Sequence, residues 1–152
     1  MNYKQKVDRL FAVQKALMTH KNRPTSETNG IYQRWCQPVV TNKHVPLLWR
    51  YELDQIGNPF LMERIGVNAT LNSGAIYLNG KYILMVRVEG HDRKSFFAVA
   101  ESTNGVDNFT FWPRPISMPE TDKEDINTYD MRLVKHQDGY IYGLFCICSA
   151  YL

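Results

Sequence analysis

The chain has 152 residues and a mass of 17.7 kDa, the size of one ordinary globular domain. Its 44% hydrophobic and 22% charged residues exclude a disordered, collagenous or coiled-coil chain. A net charge of +3 is too mild to mark a nucleic-acid partner, and 12% aromatic residues favour β-structure or a carbohydrate-facing surface.

From the N-terminus, Val7, Leu10, Phe11, Leu17 and Met18 recur at helical spacing. They predict a surface helix over 3–19 with Asn2 as its N-cap. Asn22-Arg23-Pro24 should end it, because the residue before a proline avoids helical dihedrals. Thr25 to Gly30 reads as a polar loop. Ile31 to Tyr51 is rich in β-formers but broken by Pro38 and Pro46, so extended segments and edge strands are expected there.

The pattern is cleaner beyond residue 68. Leu71–Leu78 reads as a strand, Asn79-Gly80 as a hairpin turn and Lys81–Val88 as the returning strand. Ser95–Ala100 and Phe109–Trp112 complete four antiparallel strands, with a turn at Asn104-Gly105. Asp130–Lys135, the turn Asp138-Gly139 and Tyr140–Cys146 then begin a similar unit. Four strands repeated in this way are the mark of a β-propeller blade, about 40–45 residues long in common families. A closed propeller needs at least ~160 residues in blades alone, so the expected all-β fold is either no propeller or the N-terminal part of one, preceded by a surface helix and truncated in the second blade. Residues 1–60 form the helix and extended arm, and 61–152 the first blade and part of the second.

No apolar run is long enough to span a membrane, and the amphipathic N-terminus does not read as a secretory signal. Three cysteines make no disulfide framework, so a cytoplasmic protein is expected. Cys36 reads as a small core residue. Cys146 and Cys148, alternating along a strand, should face one side without further metal ligands. The four histidines are scattered and read as surface or structural groups.

Two segments stand out chemically. Arg87 to Ser95 crowds charged side chains between two apolar strands; it reads either as a solvated hairpin loop or as a polar cluster facing a ligand. Arg87, closing the run Ile83-Leu84-Met85-Val86, should be paired or directed at a ligand. In Tyr129-Asp130-Met131-Arg132, the carboxyl and guanidinium lie two apart on a strand and so share a face. They form an ion pair or present both groups to a sugar or phosphate. The run Asp122-Lys123-Glu124-Asp125 reads as a solvated acidic loop, and Asn72-Ser73-Gly74 as a turn near the same end as Arg87.

Together these pieces resemble family 130 of the glycoside hydrolases, mostly inverting phosphorylases of β-mannosides. The resemblance is carried by Phe60-Leu61-Met62-Glu63-Arg64-Ile65-Gly66, Asn68-Ala69-Thr70-Leu71-Asn72-Ser73-Gly74-Ala75, Arg87-Val88-Glu89-Gly90, Asp92 to Ser102 and Tyr129-Asp130-Met131-Arg132-Leu133. It implies a five-bladed propeller that converts mannosyl-β-1,4-glucose and phosphate to mannose 1-phosphate and glucose. It further implies that Asp130 is the general acid, acting through the mannose 3-hydroxyl, and that Asn72, Ser73, Arg87 and Arg93 line sugar subsites. Inorganic phosphate is then a co-substrate, with no other cofactor and no metal. Expected partners are a β-mannoside, phosphate and further copies of the chain, not nucleic acid or membrane. The phosphate-binding residues of the family lie in later blades, so this chain is expected to be inactive alone. A non-catalytic propeller fragment and a β-mannoside hydrolase variant remain alternatives.

Overall fold

The computed structural model describes residues 1–118 and 125–149. Most of the acidic run, Asp122 to Glu124, and the last three residues lie outside them.

Helix α1 (Tyr3–Met18) begins where Asn2 provides a capping box. The Asn2 side chain accepts from the Gln5 N–H, and the Gln5 side chain accepts from the Asn2 N–H, each at 2.9 Å. The helix stops before the predicted Asn22-Arg23-Pro24 signal, because the Thr19 N–H and hydroxyl both turn back onto the Lys15 carbonyl. Its inner face carries Tyr3, Val7, Leu10, Leu17 and Met18, all half-buried. That face rests on the turn Asn42–His44 and on the short helix α2 (Leu47–Arg50).

Two expectations for the arm need correction. The predicted loop at Thr25 to Gly30 is largely strand: β1 (Pro24–Thr28) pairs antiparallel with β2 (Gln33–Trp35). Both strands are almost wholly exposed, so no apolar alternation marked them. Beyond β2, the expected edge strands give way to the 3₁₀ turn and α2, which starts directly after Pro46. Cys36, expected in the core, is exposed.

The central sheet follows the predicted order. Strands β3 (Val67–Leu78), β4 (Lys81–Gly90), β5 (Ser95–Ser102) and β6 (Thr110–Phe111) form one four-stranded antiparallel sheet. The β3–β4 hairpin turns at Asn79 and Gly80, with φ of 50° and 80°, the left-handed pair that a two-residue type I′ turn requires. On one face, Val86, Val88, Ala98, Ala100 and Phe111 are buried beneath Val45, Val39 and Val40 of the arm. Trp49 of α2 closes this core, its ring 6.3 Å from Phe96 and 5.9 Å from Phe111. Each buried Val or Phe among them contributes on the order of 1.5–3 kcal/mol.

The other face carries a second, two-stranded sheet, β7 (Asp125–Lys135) and β8 (Ile141–Ser149). Phe97 meets Phe145 edge-on at 5.5 Å, and Met131 is buried. Gly74 is what lets the layers approach so closely. A Cβ there would lie 2.7 Å from the Met131 carbonyl oxygen and 3.1 Å from Leu133. The chain is therefore mostly strand, with β7 laid across β3, β4 and β5. Among the described residues, no helix is long and apolar enough to cross a membrane.

Candidate functional site

The crossing of β4 by β7 builds a charged group between the two sheets. Arg87 on β4 shares a face with Met85 and Phe97, the side that β7 covers. Its Nη1 donates to Asp130 Oδ1 at 3.4 Å, its Nη2 to Glu89 Oε2 at 3.1 Å and its Nε to Ser95 Oγ at 3.0 Å. The guanidinium also lies 4.2 Å from the centre of the Tyr129 ring, a close cation–π contact. The cation is thus engaged through all three of its nitrogens and on one face.

Glu89 is the carboxylate that organises the arginines. Its side chain is 9% exposed and accepts from Asn68 Nδ2 at 2.8 Å, besides Arg87 and Arg93 Nη1, the latter at 3.4 Å. The Asn68 hydrogen bond and the two guanidinium charges outweigh burial and hold the Glu89 carboxyl below the usual glutamate range. Arg93 stands on the β4–β5 turn at φ 66°, with its side chain 79% exposed. Its outer donors face solvent.

Asp130 occupies a β-bulge, where the pairing of β7 with β8 slips between Tyr129 and Arg132. Its φ of 54° is a left-handed conformation that aspartate tolerates better than most residues. The bulge re-aims the side chain, a common device beside functional sites. It leaves the Asp130 side chain 40% exposed, with Arg87 on one oxygen. The alternative reading of an Asp130–Arg132 ion pair fails for the same reason. A bulge breaks the i, i+2 rule, and Arg132 instead donates to the Met131 carbonyl.

Asn127 and Ser95 brace the group from behind. Asn127 Oδ1 accepts from the Ser95 N–H at 2.8 Å, while its Nδ2 donates to the Arg93 carbonyl at 2.8 Å and the Tyr129 hydroxyl at 2.9 Å. The turn carrying Arg93 is thereby tied to the strand carrying Asp130.

The structure thus brings Arg87, Arg93 and Asp130 together. Asn72 and Ser73 sit in a second bulge, where β3 slips against β4 between Leu71 and Gly74. Among the described residues they share no hydrogen bond with the arginine group. They line an open hollow of about 360 Å³ with Val39, Val40 and Thr70. Glu89 lies in the charged run Arg87 to Ser95 that the sequence marks, without a role of its own there, whereas Asn68, Asn127 and Tyr129 are not read from sequence as members of this site. An acidic residue two places from Arg87 on one strand was the available signal for Glu89, since such pairs share a face.

A separate tie secures the segment before β3. Arg50 Nη2 and the Tyr51 hydroxyl both donate to Glu63 Oε1, the latter at 2.8 Å. Burial pushes the Glu63 carboxyl up, but these two bonds outweigh it and leave it below its ordinary value. Among the described residues, no group of three or more His, Cys, Asp or Glu side chains is placed to hold a metal ion.

No family model matches the chain. Over 144 residues it is 57% identical to the 4-O-β-D-mannosyl-D-glucose phosphorylase of Bacteroides fragilis. The match takes in 95% of this chain but 37% of that protein, so the chain spans a little over a third of the curated relative it matches. What the comparison establishes is similarity to part of a phosphorylase.

Proposed function

We propose that this chain carries the proton donor and sugar contacts of an inverting β-mannoside phosphorylase, with 4-O-β-mannosyl-glucose as substrate and inorganic phosphate as co-substrate. The observation that carries the reading is the Asp130–Arg87–Glu89–Arg93 group: one half-exposed carboxyl beside cations that a buried carboxylate holds in place. Its likeness to a mannosyl-glucose phosphorylase supports the same substrate. The four-stranded sheet is then one blade of a five-bladed propeller, and the β7–β8 pair the start of the next.

In the proposed reaction, protonated Asp130 passes its proton through the mannose 3-hydroxyl to the glycosidic oxygen as the C1–O bond breaks. Phosphate attacks C1 from the opposite face, giving α-mannose 1-phosphate and glucose. Phosphate arrives already anionic, so no base is needed to activate the nucleophile. A hydrolase would need a second carboxylate free to take a proton from water. Glu89, the carboxylate nearest in the hydrogen-bond group, is buried and already engaged by Asn68, Arg87 and Arg93. That favours the phosphorylase reading over the hydrolase alternative.

The same accounting bears on activity. Arg87 is spent on Asp130, Glu89 and Ser95, while Arg93 has one donor on Glu89 and its outer donors in solvent. Phosphate needs cations of its own to be held in line with C1, and such positioning is worth about 7–11 kcal/mol of barrier. We therefore expect these 152 residues to bind the disaccharide without turning it over, and to associate with copies of themselves through the exposed Tyr140, Leu144 and Ile147 of the β8 region. Titration of mannosyl-glucose into ¹⁵N-labelled protein tests the reading. Saturable shifts at Arg87, Arg93 and Asp130 support it, and a flat titration there opposes it.

A further inference from the structure

A second hollow, of about 300 Å³, lies where four segments remote in sequence meet: the end of α1, the arm at Gln37 to Val39, the 3₁₀ turn, and the β5–β6 loop. It shares no residue with the arginine group. Its walls are pinned by Asp107, buried under four donors: the Asn22 N–H at 3.1 Å, Asn104 Nδ2 at 2.8 Å, Lys21 Nζ at 3.5 Å, and Asn108 Nδ2. The hollow is therefore preformed.

His44 lines it and is 7% exposed. Its Nδ1 accepts from the Thr41 N–H at 3.0 Å and faces the Thr41 hydroxyl at 2.9 Å. In the neutral ring the proton therefore sits on Nε2. Nε2 has no hydrogen-bond partner among the described residues. Among the described residues, the polar side-chain atoms that are both unpartnered and sealed from solvent are Tyr3 Oη and Arg50 Nε, so Nε2–H keeps access to water, and His44 lines the hollow. An acceptor entering the hollow exchanges that water for a hydrogen bond of its own.

We infer that this hollow is a binding site for a neutral polyol of single-ring size, such as a pyranose. The charge pattern selects a neutral guest. Asp107 already carries Lys21 and three amide donors, which leaves it little for a second cation, and its carboxylate opposes an anion. His44 Nε2–H supplies a donor, and Asn108 Oδ1, which has no hydrogen-bond partner among the described residues, supplies an acceptor. Leu17, Pro38, Val39 and Val106 offer surface for ring C–H faces. The volume sits at the low end of the ~300–1,000 Å³ usual for small-molecule sites, which limits the guest to about one ring.

The test is glucose titrated into ¹⁵N-labelled protein, reading the His44 Nε2–H and the Val106 and Asn108 amides, with inorganic phosphate in a parallel arm. Saturable shifts with glucose and none with phosphate are expected. Val106→Trp fills the hollow from its rim and should weaken binding at least tenfold, equivalent to about 1.4 kcal/mol, without changing the melting temperature. His44→Phe should remove binding; Val106→Trp keeps the test sound if that variant misfolds. Asp130→Asn should leave these shifts intact, so this site and the phosphorylase reading stand or fall separately. No saturable glucose shift, an equal response to phosphate, or unweakened binding in Val106→Trp would overturn the assignment.

Discussion

Arg87 on β4 and Asp130 on β7 meet at 3.4 Å across the two stacked sheets, although 43 residues separate them in the chain. Arg87 is 11% exposed and also neutralises the buried Glu89. Removing it takes one of the two cations from that carboxylate, which keeps Asn68 and Arg93. Arg87→Met should therefore lower the urea midpoint. Adding Glu89→Gln should recover part of the loss, because the under-compensated charge disappears with it. A double variant no more stable than Arg87→Met would show that packing, not charge, sets the cost.

Gly74 permits the approach of β3 to β7 on which this pairing depends. Its would-be Cβ meets backbone oxygen at 2.7 Å, and backbone cannot swing aside as a flexible side chain does. Gly74→Ala should cost about 1–3 kcal/mol by overpacking. Hydrogen exchange should quicken in β7 and β8 while β5 stays protected. Unchanged protection throughout would mean that the layers are not tied here.

Acid should weaken the fold in two steps. Burial lowers the His44 pKa. As pH falls below about 6.5, the unfolded histidine takes up a proton that the folded one refuses, so stability declines from there downward. Asp107 is held below the usual aspartate range, first by its bond from Asn104 and then by those from Asn22 and Lys21. Stability from that group is complete above about pH 4 and is lost as pH falls through its lowered value. Urea midpoints measured from pH 7.5 downward check both steps, and His44→Phe should flatten the upper one alone.

The left-handed backbone at Asp130 predicts a fourth contrast. Asn accepts φ 54° about as well as Asp, whereas a β-branched residue pays about 1–2 kcal/mol there. Asp130→Val should melt lower than Asp130→Asn by roughly that energy. Equal melting temperatures would argue against the bulge.

These contrasts also mark what sequence could and could not reveal. The central sheet was legible because Asn79-Gly80 admits one turn geometry and the flanking apolar runs fit strands. The β1–β2 hairpin was not, since Pro24–Thr28 is polar and buries almost nothing. Arg87 announced itself by closing an apolar strand, but its partners came from elsewhere in the fold. Bulges were invisible, and each overturned a local rule: the one at Asp130 separates it from Arg132, and the one at Asn72 and Ser73 leaves them outside the arginine hydrogen-bond group. Period-2 reasoning holds only while register holds.

The most direct test of the central claim exchanges the 144 matched residues into the Bacteroides fragilis phosphorylase and follows mannose 1-phosphate released from mannosyl-glucose and phosphate. The account predicts release by the exchanged enzyme, none by the 152-residue chain alone, and a loss of at least about 100-fold when Asp130→Asn removes the proton donor. Full activity with Asn at this position would contradict it.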